Sequence, residues 1–159
     1  MYYETSVTID ATSDEVWAVI RDVERWPTWT PTMTTVDMAA RPAAVGSSGA
    51  DGELRDGSVV RIRQPRLPAA EWTVTDLTPG SGFSWISRAT GMTTVADHRI
   101  MPAAEDGKVT VRLSLRQSGP LAPVVALFMA RLVRRYVDTE AQGLRQHCEQ
   151  RSRAGRSGS

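Results

Sequence analysis

The chain has 159 residues, 41% of them hydrophobic, and nineteen basic against eighteen acidic side chains leave a formal charge of +1. That length suits one compact domain with a sizeable core, whereas a charge so near zero supplies no field for gathering nucleic acid or an anionic membrane. The single Cys148 excludes an internal disulfide, and no charged, apolar and small-residue series resembling an export signal opens the chain, so a cytoplasmic protein is expected.

Tyr3, Thr5, Val7 and Ile9 alternate with Tyr2, Glu4, Ser6 and Thr8, the period of a half-buried strand running to about Asp10. Thr12 with Glu15 three residues on forms a capping box, and Ala11 with Val16 stands where a hydrophobic staple would, so a short helix is predicted over 13–21. Asp22 is positioned to cap a second short helix containing Val23 and Trp26, which Pro27 should stop. A second strand is predicted from Thr32 to Ala39, followed by a loop over Arg41–Gly52.

Five further strands follow, separated by Gly or Pro turns: 58–64, 71–78, 82–88, 92–101 and 108–118. Their short connections predict an antiparallel meander in which sequence neighbours are sheet neighbours. The chain then enters a long helix, predicted from Leu121 to about Gln150, because Pro123 fits only a first helical turn. Val125, Phe128, Met129, Leu132, Tyr136, Leu144 and Cys148 form its apolar stripe, with Arg131, Arg134, Asp138, Glu140 and Arg145 assigned to the other side. The apolar window Leu121–Val133 is broken by Pro123 and Arg131 and is far shorter than the ~20 residues of a membrane span, so no span is expected. The domain is predicted over residues 1–150, with a disordered tail from 151. Together these elements predict an α+β fold, a curved antiparallel sheet of about seven strands wrapped round a long C-terminal helix.

The order of strand, two short helices with Glu15-Val16-Trp17 and Trp26-Pro27-Trp29, curved meander and closing helix resembles the SRPBCC superfamily, also called START-like or birch-pollen-allergen-like. Gly57 to Arg63, Gln64-Pro65, Pro68, the Trp72-Thr73-Val74-Thr75 strand, Phe83 to Trp85, Gly91, His98 and Gly119-Pro120-Leu121 resemble its polyketide cyclase/dehydratase-like bacterial branch. The likeness spans roughly Glu4 to Glu149. It implies a helix-grip fold, in which the two short helices plug one end of the sheet and a largely apolar cavity remains.

Strand phase decides which side chains face that interior. Val109, Val111, Leu113 and Leu115 share an apolar face; Trp72, Val74 and Asp76 form another set, and Phe83 with Trp85 a third. His98 is in phase with Ala96 and Ile100 and should point inward, whereas Asp97 and Arg99 point out. The expected cavity wall is drawn from Trp29, Trp72, Trp85, His98, Phe128 and Leu132, with Gln64, Asp76 and Gln117 as more distant polar candidates. His98 is the candidate catalytic residue, since an imidazole titrates near neutrality; the alternative is a hydrogen-bonded core histidine. With no carboxylate on its own strand face, it is expected to be neutral at pH 7. Gly143 inside the long helix should mark a close approach by the strand wall.

His147 and Cys148 are adjacent and point about 100° apart on a helix, so no metal set is expected. No phosphate loop, dinucleotide fingerprint or serine elbow is present, and no cofactor is expected. Three functions remain open: binding of a small hydrophobic ligand, polycyclic or acyl; a cyclase or aromatase acting in the same cavity; and a protein-interaction module with a collapsed cavity.

Overall fold

In a computed structural model, which describes residues 1–42, 54–103, 105 and 107–157, the chain forms seven strands and two α-helices. The strands are β1 (Tyr2–Ile9), β2 (Thr35–Ala40), β3 (Val59–Arg63), β4 (Ala70–Thr78), β5 (Gly82–Ala89), β6 (Met92–Pro102) and β7 (Val109–Ser118). The helices are α1 (Ser13–Ile20) and α2 (Ala122–Ser157), with a 3-10 helix at Val23–Thr28. One antiparallel sheet has the order β1-β7-β6-β5-β4-β3-β2, so the meander pairs each strand with its successor and β1 closes against β7. This is the predicted α+β helix-grip architecture.

The capping box at α1 is present: Thr12 Oγ1 accepts from the Glu15 amide at 3.3 Å, and Glu15 Oε2 accepts from the Thr12 amide at 2.7 Å. Ala11 and Val16, the staple pair, are both buried. The second short helix differs from expectation in detail. It takes 3-10 geometry, runs past Pro27 to Thr28, and the Asp22 side chain pairs with Arg25 at 3.6 Å instead of capping. Pro27 supplies no N–H to this turn, and the bonds on either side of it run from the Arg25 amide to the Asp22 carbonyl and from the Trp29 amide to the Trp26 carbonyl.

At 36 residues α2 is ~54 Å long and packs against β1 and β7. Its face is turned by roughly half of one 100° residue step from the predicted stripe. Val133, Val137, Ala141, Leu144 and Cys148 are buried, whereas Phe128 is 76% exposed and Leu132 only half-buried. Val125, Met129 and Tyr136 keep their predicted inward side. The helix also continues through the expected disordered tail to Ser157, with Ser152 buried and Arg156 reaching Asp10 at 3.7 Å. Most of the loop expected over 41–52 lies outside the described residues. Among those described, no helix is long and apolar enough to cross a membrane.

Gly143 does mark a close approach, but by a different partner. A Cβ there would lie 2.6 Å from the Trp29 carbonyl oxygen, so the segment after the 3-10 helix, not the strand wall, is seated on α2. That contact closes one end of the grip and leaves the N-terminal half of α2 standing off the sheet.

Candidate functional site

Between the sheet and residues 125–140 of α2 lies a cavity of about 550 Å³. Ile62, Trp72, Trp85 and Leu113 come to it from the sheet, and Met129 and Val133 from the helix. The wall exists because strand alternation sends these apolar side chains to the concave face while Arg61, Arg63 and Arg112 go outward. Trp72 and Trp85 stand side by side, ring centroids 5.5 Å apart. Tyr136, also in the wall, donates its hydroxyl to the Pro65 carbonyl and so ties the β3–β4 connection to the helix.

His98 points inward as predicted and is 5% exposed. Its ring stacks on Phe83 at 4.8 Å and is bordered by Trp26 at 5.0 Å and Trp85 at 5.4 Å. β5 approaches its backbone so closely that a Cβ on Gly82 would fall 1.9 Å from the His98 carbonyl oxygen, so only glycine fits at Gly82. On the outer face of the same strand Asp97 accepts from Ser84 and Ser114, and Arg99 donates to Asp76 at 2.5 Å.

No carboxylate of its own strand face meets His98, as expected, but one from α2 does. Glu140 of α2 places Oε1 3.0 Å from His98 Nε2, and both side chains are nearly sealed from solvent. With Glu140 ionised, Nε2–H donates to Oε1, and in the neutral ring Nδ1 remains as the acceptor. Among the described residues that buried Nδ1 has no hydrogen-bond partner, nor have Nε1 of Trp72 and Trp85 and Oε1 of Gln117. All four residues belong to the cavity wall, which is where such groups concentrate when a site has a chemical role.

The remaining candidates divide. Trp72, Trp85, His98, Gln64 and Gln117 are brought together at the cavity. Phe128 and Leu132 are not part of its wall, because of the turn of α2 already described. Trp29 lies at the closed end, 5.5 Å from Trp26 and stacked 6.4 Å from His147, its buried indole N–H without a partner among the described residues. Asp76 is on the outer face, because a β-bulge between Val74 and Asp76 inserts a residue and reverses the strand phase. Glu140 is the residue the sequence reading missed. It shares the four- and three-residue steps of Val133, Val137 and Leu144, so choosing that stripe would have placed it inside.

Among the described residues no three His, Cys, Asp or Glu side chains gather as a metal site. The Cys148 thiol is pushed up to about 12, chiefly by burial, and is far from nucleophilic at neutral pH.

The family described as polyketide cyclase / dehydrase and lipid transport matches residues 3–149. No curated protein matches the sequence. Among solved structures, a START superfamily protein from Mycobacterium smegmatis has 15% identity and a TM-score of 0.69, covering 94% of this chain and 97% of that one. The Zhui aromatase/cyclase from Streptomyces sp. R1128 has 17% identity and a TM-score of 0.74, with 98% and 97% covered. A protein from Thermus thermophilus, TTHA0849, has 12% identity and a TM-score of 0.71, with 96% and 99% covered. At these identities the likeness is one of fold. With nearly its whole length matched, the chain belongs to the polyketide cyclase / dehydrase and lipid transport family.

Proposed function

We propose that the protein binds a small hydrophobic molecule, polycyclic or acyl, inside the cavity. The observation that carries this is the cavity itself: about 550 Å³, within the range of small-molecule sites, with a wall led by two adjacent indoles and aliphatic side chains. An open interior of that size weighs against an interaction module with a collapsed cavity. A lone, buried cysteine suits a reducing compartment, and we place the protein in the cytoplasm.

A second reading, an enzyme of the cyclase or dehydratase type needing neither metal nor nucleotide, is favoured by the His98–Glu140 pair. An imidazole backed by a carboxylate is an arrangement that takes a proton from carbon beside a carbonyl and returns it to oxygen. Its Nδ1, held among aromatic rings, is the atom available for that transfer.

Titration with a neutral hydrophobic fluorophore, N-phenyl-1-naphthylamine, tests the shared claim. Saturable energy transfer from the wall tryptophans, reduced in Trp85→Phe, is expected; absence of any saturable signal would refute ligand binding. His98→Gln then separates the two readings. A carrier loses about 0.5–1.5 kcal/mol of binding, the worth of one neutral hydrogen bond. An enzyme loses roughly 10²- to 10⁴-fold in turnover with affinity nearly unchanged.

A further inference from the structure

We propose that the first turns of α2 and the arginines that follow them dock on an anionic lipid surface at the rim of the cavity. Leu121, Val124, Leu127 and Phe128 are 47%, 54%, 79% and 76% exposed, and apart from Tyr2 they are the large hydrophobic side chains most open to solvent among the described residues. Leu121, Val124, Phe128, Arg131 and Arg135 recur at three- and four-residue steps, so they form one outward stripe: apolar through the first two turns, cationic in the next two. A helix with that division presents an apolar end to acyl chains and guanidinium groups to phosphates. The whole-chain charge of +1 conceals this local concentration.

The patch adjoins the cavity. Leu121 donates its backbone N–H to the Gly91 carbonyl at 3.0 Å, and its side chain fills the space that a Cβ on Gly91 would need. Gly91 lies in the β5–β6 turn, whose flanking Arg88 and Met92 belong to the cavity wall, as do Val125 and Met129 on the adjacent side of α2. The nearby acids are engaged: Asp138 accepts the Tyr3 hydroxyl at 2.7 Å, and Glu71 pairs with Arg61 at 2.6 Å. Arg131 and Arg135 form no ion pair among the described residues, while Arg134 lies over the Tyr3 ring.

Charge decides between occupants. A second copy docked through the apolar turns would leave Arg131 and Arg135 without an anionic counterpart, since the stripe itself carries no acid. An anionic bilayer meets both halves of the stripe at once. Docking there is independent of whether the cavity holds a ligand or performs chemistry.

Co-sedimentation with phosphatidylcholine vesicles, with and without about 30% phosphatidylglycerol, is the test. The protein should partition onto the anionic vesicles only, and less at high salt because surface charge is screened. Leu127→Ser with Phe128→Ser, and separately Arg131→Gln with Arg135→Gln, should each weaken partition by about tenfold or more. These positions are exposed, so thermal melts should be unchanged, and His98→Gln should partition like the wild type. Equal binding to both vesicle types, or to neither, overturns the proposal. So does a dimer that disperses in the Leu127/Phe128 variant without vesicle binding, or capture of an acidic protein by a chain that ignores vesicles.

Discussion

Glu140 and His98, 42 residues apart in sequence, meet in the interior with Oε1 3.0 Å from Nε2. One comes from the middle of α2 and the other from the centre of β6, so the contact bridges the helix to the sheet it stands off from. Each side chain answers the other's need for a partner away from water. Removing one strands the other, whereas replacing both with apolar groups of similar volume removes the need.

Glu140→Leu and His98→Phe should therefore each lower unfolding stability by about 2–4 kcal/mol, and the two substitutions combined should recover much of that loss. Denaturant titration of the four proteins closes the cycle. Additive losses would show that the two groups are not coupled across the cavity.

Gly143 sets two magnitudes against each other. Alanine inside a helix is worth ~1 kcal/mol over glycine. Here its Cβ would press 2.6 Å from the Trp29 carbonyl oxygen, a backbone atom that no side-chain rotation can move aside. Steric cost should win, and Gly143→Ala should lower stability by about 1–3 kcal/mol and shift tryptophan emission. A variant more stable than wild type would mean that this end of the grip is loosely seated.

Much of this was legible in the chain itself, and the failures have identifiable physical origins. Alternation in β7 and β6 placed Leu113 and His98 inward correctly, because one face is buried without a break from Val109 to Leu113 and from Thr94 to Ile100. Asp76 was misplaced because one inserted residue in β4 reverses phase and leaves no mark in the hydrophobic pattern. The stripe on α2 was misread because Phe128 and Leu132 are more hydrophobic than the Glu140 that takes an inward position. Sequence hydrophobicity reports burial only where no function competes with it. An exposed Phe128 and a buried Glu140 break the same rule in opposite directions, and the candidate docking face and the candidate site are where they do so.

Cys148 is 1% exposed, and its thiol is raised to about 12, with burial the leading cause and Arg151 partly opposing it. At pH 8 the thiolate fraction is then on the order of 10⁻⁴, and the sulfur is out of reach as well. Labelling by a chromogenic disulfide reagent should proceed at the rate of unfolding in native buffer and within the dead time in denaturant. Prompt stoichiometric labelling of the native protein would show that α2 opens at that point.

The acid limb of stability should begin with His147. Burial, reinforced by the positive charge of Arg151, holds its imidazole below the ordinary value of about 6.5. The folded state thus resists a proton that the unfolded chain accepts. The sign follows: His147 contributes stability that is fully present above about pH 6.5 and is lost as the pH falls through its folded value. Glu149 acts next. Burial alone would raise its carboxyl, but the Asp10 amide with Arg145 and Arg153 outweighs that and lowers it, so its contribution survives to more acidic pH and disappears below the usual carboxylate range. Denaturation midpoints measured from pH 8 to pH 3 on wild type, His147→Gln and Glu149→Gln should separate the two. The difference between wild type and His147→Gln should shrink as the pH falls below about 6.5, and that between wild type and Glu149→Gln only below about pH 4.5. Differences that stay constant across both windows would mean that neither group changes its proton affinity on folding.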